Sequence, residues 1–170
     1  MIRRGRPRAA ESALTRRERE VLDCLPCGTT NREIAGLLGV STKTVANTLQ
    51  QVYRKLGVPT RTGASVVAIL VAILVQRVQV PPIVFEEALT SREKDILKEA
   101  AGDHTNKQIA ASLDMPVKTV KATLQRVYRK LVVSTRTRAC VVAILHGLIE
   151  PPEHLSAQAR EIVRQGPNDL

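Results

Sequence analysis

The sequence predicts an all-α protein made from one four-helix unit used twice, and three observations carry that reading. The chain repeats itself at an offset of 75 residues: Leu14-Thr15 returns as Leu89-Thr90, Ile34-Ala35 as Ile109-Ala110, and Lys43-Thr44-Val45 as Lys118-Thr119-Val120. The register holds without a gap to Leu70 and Leu145, and more than half of those aligned positions are identical, so a domain has been duplicated. Apolar residues then recur at Val45, Leu49, Val52 and Leu56, and again at Val120, Leu124, Val127 and Leu131. Steps of four, three and four put each set on one helical face. Finally, Thr is followed three residues later by Glu or Gln at Thr15/Glu18, Thr30/Glu33, Thr90/Glu93 and Thr105/Gln108. That spacing is a capping box, the start signal of a helix.

Charge narrows the partners. The 170 residues carry 26 Lys and Arg against 16 Asp and Glu, a formal net charge of +10. The positive charge lies on the N-terminal arm and the two repeats, while segments 76–88 and 151–170 are slightly acidic. A polyanion is the expected partner, nucleic acid ahead of acidic lipid; charge alone leaves open a basic face that is merely solvated. Aromatic residues are 2% of the chain, so the cores must be aliphatic. Units of this size bury a modest share of their surface and tend to need a neighbour. No apolar segment follows the Arg-rich start, so no secretory signal is expected. The longest apolar run, residues 66–75, is half the roughly 20 residues a membrane span needs. Three cysteines without an export signal point to a reducing cytosol, and no membrane partner is expected.

The elements follow in order. Residues 1–13 form a basic arm, expected to be disordered without a partner. Within it Arg4-Gly5-Arg6-Pro7 resembles the core of an AT-hook, whose Arg side chains lie along the minor-groove floor. A basic tail without groove preference is the alternative, and Arg4 and Arg6 favour DNA under either. The first domain is 14–75. Thr15 opens its first helix, which carries Val21, Leu22 and Leu25 ahead of a break at Gly28. Thr30 opens a short second helix with Ile34, Ala35 and Leu38; Gly39 marks a tight turn, and the long periodic helix follows. The fourth helix opens near Thr60-Arg61. A linker, 76–88, holds Pro81-Pro82 and reaches at most about 43 Å fully extended. The second domain, 89–150, repeats the order, with Asp114 at the tight turn and a fourth helix from Thr135-Arg136. The tail 151–170 holds a short helix, read as a terminal amphipathic helix ahead of the first helix of a truncated third repeat.

Short helix, tight turn and longer exposed helix make a helix-turn-helix. Leu-Thr-x-Arg-Glu, Thr-Asn-[Arg/Lys]-x-Ile-Ala, Lys-Thr-Val, Tyr-Arg-Lys-Leu and Thr-Arg, in order and in both copies, resemble the LuxR/GerE-type helix-turn-helix over 14–75 and 89–150. The resemblance implies four-helix domains whose third helix enters the major groove and whose fourth pairs two subunits. Members usually carry one such domain behind a receiver or ligand-binding domain; here the DNA-binding unit occurs twice. The two fourth helices are expected to pack on each other as an intramolecular pseudo-dimer. Homodimerisation through the apolar fourth helix is the alternative.

By the same resemblance, base contacts fall to Ala46, Asn47 and Gln50 in the first unit and to Lys121, Ala122 and Gln125 in the second. The His common after this pair is replaced by Thr48 and Thr123. Lys donates to guanine and Gln pairs with adenine, whereas Ala offers contact only to a thymine methyl. The units should therefore prefer different half-sites. Phosphate contacts are expected from Thr30, Asn31, Lys43 and Thr44, and from Thr105, Asn106, Lys118 and Thr119, near helix N-termini where free amides favour an anion. Arg54 and Arg129 contact the backbone or face solvent, as do Lys55 and Lys130. Taken singly, Thr30 and Thr105 are only caps and the Lys residues only solvated. The set repeated in register on one face favours DNA.

Other chemistry is set aside. Cys24 and Cys27 have redox-pair spacing, but the second repeat has Glu99 and Gly102 there, and a packing role at the end of the first helix is the better account. Cys140, His104, His146 and His154 lack metal-site spacing, and no catalytic constellation appears, so neither cofactor, metal nor enzyme is expected. The functional expectation is a sequence-specific regulator of transcription on double-stranded DNA, with other transcription components as further partners. The alternatives are an architectural nucleoid protein and an adaptor that sequesters another regulator.

Overall fold

A computed structural model describes residues 14–78 and 85–164; the arm with Arg4 and Arg6 lies outside them. Among the described residues there are nine α-helices and no strand. They are α1 (Arg16–Asp23), α2 (Asn31–Leu38), α3 (Thr42–Leu56) and α4 (Arg61–Leu74), then α5 (Ser91–Ala101), α6 (Asn106–Ser112), α7 (Val117–Lys130), α8 (Arg136–Leu145) and α9 (Glu153–Arg164).

All four expected capping boxes form, at Thr15, Thr30, Thr90 and Thr105. Thr60 and Thr135 cap α4 and α8 through the amides of Gly63 and Arg138, both at 3.2 Å. The first helix is shorter than its apolar spacing suggests. Pro26 cannot supply the amide that would continue the α-helix, so α1 ends at Asp23 and Leu25–Cys27 tighten into a 3-10 turn.

Each unit packs its first and third helices together, with the short second helix against the third. Val45, Leu49, Val52 and Leu56 are buried, as are Val120, Leu124, Val127 and Leu131. One partly buried ion pair per unit ties the first helix to the end of the third: Lys55 to Glu18 at 2.7 Å, Lys130 to Glu93 at 3.0 Å. Burial would raise the Glu18 carboxyl, but hydrogen bonds from Lys55 and Thr15 outweigh it and hold it below the usual range. Burial likewise opposes, and Thr90 and Lys130 win, at Glu93.

Helix α4 lies against α8 and, more extensively, against α9. The sequence points to excess apolar surface on residues 66–75 but not to this third element as its cover. Where α4 meets α8, Thr62 Oγ1 faces Thr137 Oγ1 at 3.2 Å in a buried contact. These two residues are equivalent positions of the repeat.

The flanks of that contact are not equal. A Cβ on Gly63 would overlap the Asp103 carboxylate, which lies at the N-terminus of α4 and accepts from Thr60 Oγ1. A carboxylate suits the positive end of a helix, yet its Oδ2 is buried without a hydrogen-bond partner. On the equivalent flank the residues are reversed: Arg138 stands where Gly63 would, Gly28 where Asp103 would. There Arg138 donates to Cys27 O at 2.8 Å, and a Cβ on Gly28 would lie 3.3 Å from Thr135 Oγ1. Each flank pairs one bulky residue with one glycine.

Candidate nucleic-acid interface

The apolar faces of α3 and α7 point inward, which fixes what faces out. Lys43, Thr44, Ala46, Asn47, Gln50 and Arg54 are all exposed along α3, and Lys118, Thr119, Lys121, Ala122, Gln125 and Arg129 along α7. Thr30 and Thr105 are exposed, Asn31 and Asn106 half-buried. In the second unit Lys121, Gln125 and Asn106 line one hollow with Tyr128 and Arg136, so base-reading and phosphate candidates share a surface.

The caps account for part of the Thr chemistry. Thr30 Oγ1 accepts from the Glu33 amide at 3.3 Å and donates to Glu33 Oε2 at 2.8 Å. The Thr30 backbone N–H also donates to Glu33 Oε2, at 2.6 Å, and that bond, with the hydroxyl's, holds the Glu33 carboxyl below its usual range. The equivalent partner of Thr105 is Gln108, which is uncharged. One anion near the first unit's α2 N-terminus is therefore missing from the second.

Asn31 and Asn106 are held from behind. Arg61 donates to Asn31 Oδ1 at 2.8 Å and also to Thr29 O. Arg136 donates to Asn106 Oδ1 at 3.2 Å, to Ala100 O at 2.9 Å and to His104 O. Each Asn thus spends its oxygen on an arginine and turns its amide nitrogen, a donor, to other use. Sequence reasoning missed these two clamps, although both arginines stand in the Thr-Arg pairs it noted. It also passed over Arg32 and Lys107, exposed in the first turn of α2 and α6 beside those asparagines.

Some candidates come out differently from one another. Lys55 and Lys130, left open by the sequence, are committed to the ion pairs with Glu18 and Glu93. Arg54 donates to Gln51, while Arg129 borders a groove at the end of α7. Thr123 is buried, accepting from Arg126 at 3.3 Å, whereas Thr48 is half-buried and donates to Thr44 O at 2.9 Å. The entries to the two helices also differ. Ser41 caps α3 through the Thr44 amide at 3.0 Å, whereas α7 opens on Pro116 with no side-chain cap.

Two long helices facing outward, each behind a short capped helix and a tight turn, define a tandem helix-turn-helix protein. A family model described as bacterial regulatory proteins, luxR family, matches residues 12–68 and 87–143, well over half of the chain. The chain belongs to that family, with its domain in two copies. It is similar to the uncharacterized transcriptional regulatory protein YhcZ of Bacillus subtilis (strain 168), 45% identical over 60 residues, or 35% of this chain and 28% of that protein. It is also similar to the response regulator protein VraR of Staphylococcus aureus (strain NCTC 8325 / PS 47), 39% identical over 64 residues, 38% of this chain and 31% of VraR. The chain thus matches less than a third of the length of these relatives. No solved structure matches it. The family and these relatives are regulatory proteins by name, not enzymes. No single helix among the described residues is long and apolar enough to cross a membrane.

Proposed function

We propose that this chain is a transcription regulator that binds double-stranded DNA in the cytoplasm and reads sequence with α3 and α7 in successive major grooves. The observation that carries this is the paired, outward-facing set on the two helices, identical at Lys43/Lys118, Thr44/Thr119 and Gln50/Gln125 and different at Ala46/Lys121 and Asn47/Ala122. Shared positions suit phosphate contact and a common base step; differing ones suit two unlike half-sites. The clamped Asn31 and Asn106 are phosphate donors in this reading, with Arg61 and Arg136 adding positive charge behind them.

We infer too that the two units act as a built-in pair, an intramolecular pseudo-dimer. The meeting of Thr62 with Thr137 supports it, and so does the reciprocal fit of Gly63 with Asp103 and of Gly28 with Arg138. Selection of sites from random duplex DNA is the test. The expected product is one composite site with two unlike half-sites about 10 base pairs apart, bound by a monomeric chain. Recovery of a palindrome bound by a dimer would overturn the built-in pair. Absence of any enriched sequence would overturn specific reading.

A further inference from the structure

Helices α4 and α8 are the same helix in the two units, yet one face of each is covered differently. Gly63, Val67, Leu70 and Val71 fall at helical spacing and are all buried. Their equivalents are Arg138, which is exposed, and Val142, Leu145 and His146, which are half-buried. Helix α9 packs along α4, and its Gln158 reaches the turn at Gly57, where a Cβ would stand 3.0 Å from Nε2. Among the described residues α8 has no such helix; Phe85 meets His146 edge-on, with ring centroids 5.4 Å apart.

Beside that contact lies a groove of about 580 Å³. Phe85, Leu131, Val133 and Val142 give it apolar walls; Arg126, Arg129 and Arg138 line it with positive charge, against the carboxylates of Glu86 and Glu87 at the Phe85 end. Lys130 also lines it but is taken by Glu93 and Glu87. A second hollow shares Arg129, Val132, Val133 and Arg138 and runs on to Cys27 and Gly28 of the first unit. Between the two stands Val132, 88% exposed at φ 54°. A β-branched residue in the left-handed region is strained, and this one shows its isopropyl group to solvent. Its equivalent is Gly57, at φ 63°.

We propose that this trough is a docking site for an amphipathic helix of another protein, one with an apolar face flanked by carboxylates. The first unit supplies the precedent: the equivalent place at the end of α3 and along α4 takes α9, a helix of that kind in shape. The arginines select an acidic version of it. A second copy's α9 is a poor occupant, because Gln158 already lies close to Gly57 and would meet the Val132 side chain in its place. The incoming helix must present a small residue there.

The test is a titration of the isotope-labelled full chain with a synthetic peptide. Its sequence is that of residues 151–164 carrying Gln158→Ala, Arg160→Glu and Arg164→Glu. Saturable shifts are expected at the amides of Val132, Val133, Arg138 and Val142, weakened by salt. Val132→Gly, which relieves backbone strain and so keeps the fold, should lower peptide affinity about tenfold through the lost isopropyl contact. It should leave DNA binding unchanged. Absence of saturable binding would overturn the proposal. So would shifts centred on α4, which mean exchange with α9, or affinity indifferent to Val132→Gly. Self-association of the chain that perturbs the same amides without peptide would give the trough to a second copy and overturn it as well.

Discussion

At three turns the first unit uses glycine where the second uses another residue, whereas after the fourth helix the order reverses, Gln76 at φ 54° against Gly147 at φ 65°. Gly28, Gly39 and Gly57 sit at φ between 63° and 75°; their equivalents Asp103, Asp114 and Val132 hold φ of 68°, 48° and 54°. Asp tolerates that conformation because its short polar side chain bonds locally, and Val does not. One ancestral backbone is thus kept at three turns while the side chains are put to other uses. Asp103 fills the space over Gly63, and Val132 faces solvent beside a basic groove. After duplication the buried stripes of α3 and α7 stay the same, while the turns, the flanks, the cover over α4 and α8 and part of the outward faces diverge.

The sharpest way to break this division is to make the flanks alike. Gly63→Arg, copying Arg138, drives a side chain into Asp103 and should cost about 3 kcal/mol or more in urea unfolding. Adding Asp103→Gly should recover most of that loss; a loss unchanged by the second substitution would refute the reciprocal fit.

Next come the ion pairs that the units share. Lys55→Met or Lys130→Met leaves a buried glutamate without its cation and should cost on the order of 1–3 kcal/mol each. Because Glu18 and Glu93 are held below their unfolded values, their contribution is present above the unfolded pKa of about 4.3 and is lost as pH falls through the lower folded values. Unfolding of each variant against pH should therefore show a shallower loss of stability in acid than the parent does.

A reading-face exchange tests the comparison on DNA. Ala46→Lys, copying Lys121, should move the first half-site's preference toward that of the second, by about 1–3 kcal/mol at one base pair. Competition binding between composite and symmetrised duplexes would show it, and an unchanged ranking would remove Ala46 from the reading set. The smallest effect belongs to the turns. Val132→Gly should raise stability by roughly 0.5–1 kcal/mol, strain relief exceeding the added freedom of the unfolded chain. Gly57→Val should lower it by more, since it also pushes on Gln158.

Much of this fold is legible in the sequence because its signals are local. Four capping boxes and the 4-3-4 apolar spacing concern neighbours along the chain, and they place the helices to within a turn. The repeat offset then transfers each reading to the other unit. What stays hidden concerns long-range partners. Nothing near Asp103 in sequence announces that Gly63 makes room for it, and nothing near residues 66–75 announces α9. The family match in both segments bears out the resemblance, whereas the arginine clamps on Asn31 and Asn106 needed the third dimension. The outward set is legible as a face, since the buried positions define it by exclusion. Its splitting between bases, phosphates and the groove at Arg129 is not.

The contact between α4 and α9 has a consequence for how the protein is made. Translation delivers α4 to the ribosome exit a whole unit ahead of the helix that lies along it. Domains ordinarily fold as they emerge, first unit first. Here the first unit emerges with the apolar side of α4 still bare, and its neighbours α8 and α9 arrive only with the rest of the second unit. The early unit waits on the late one, and the nascent chain carries a greasy helix through that interval.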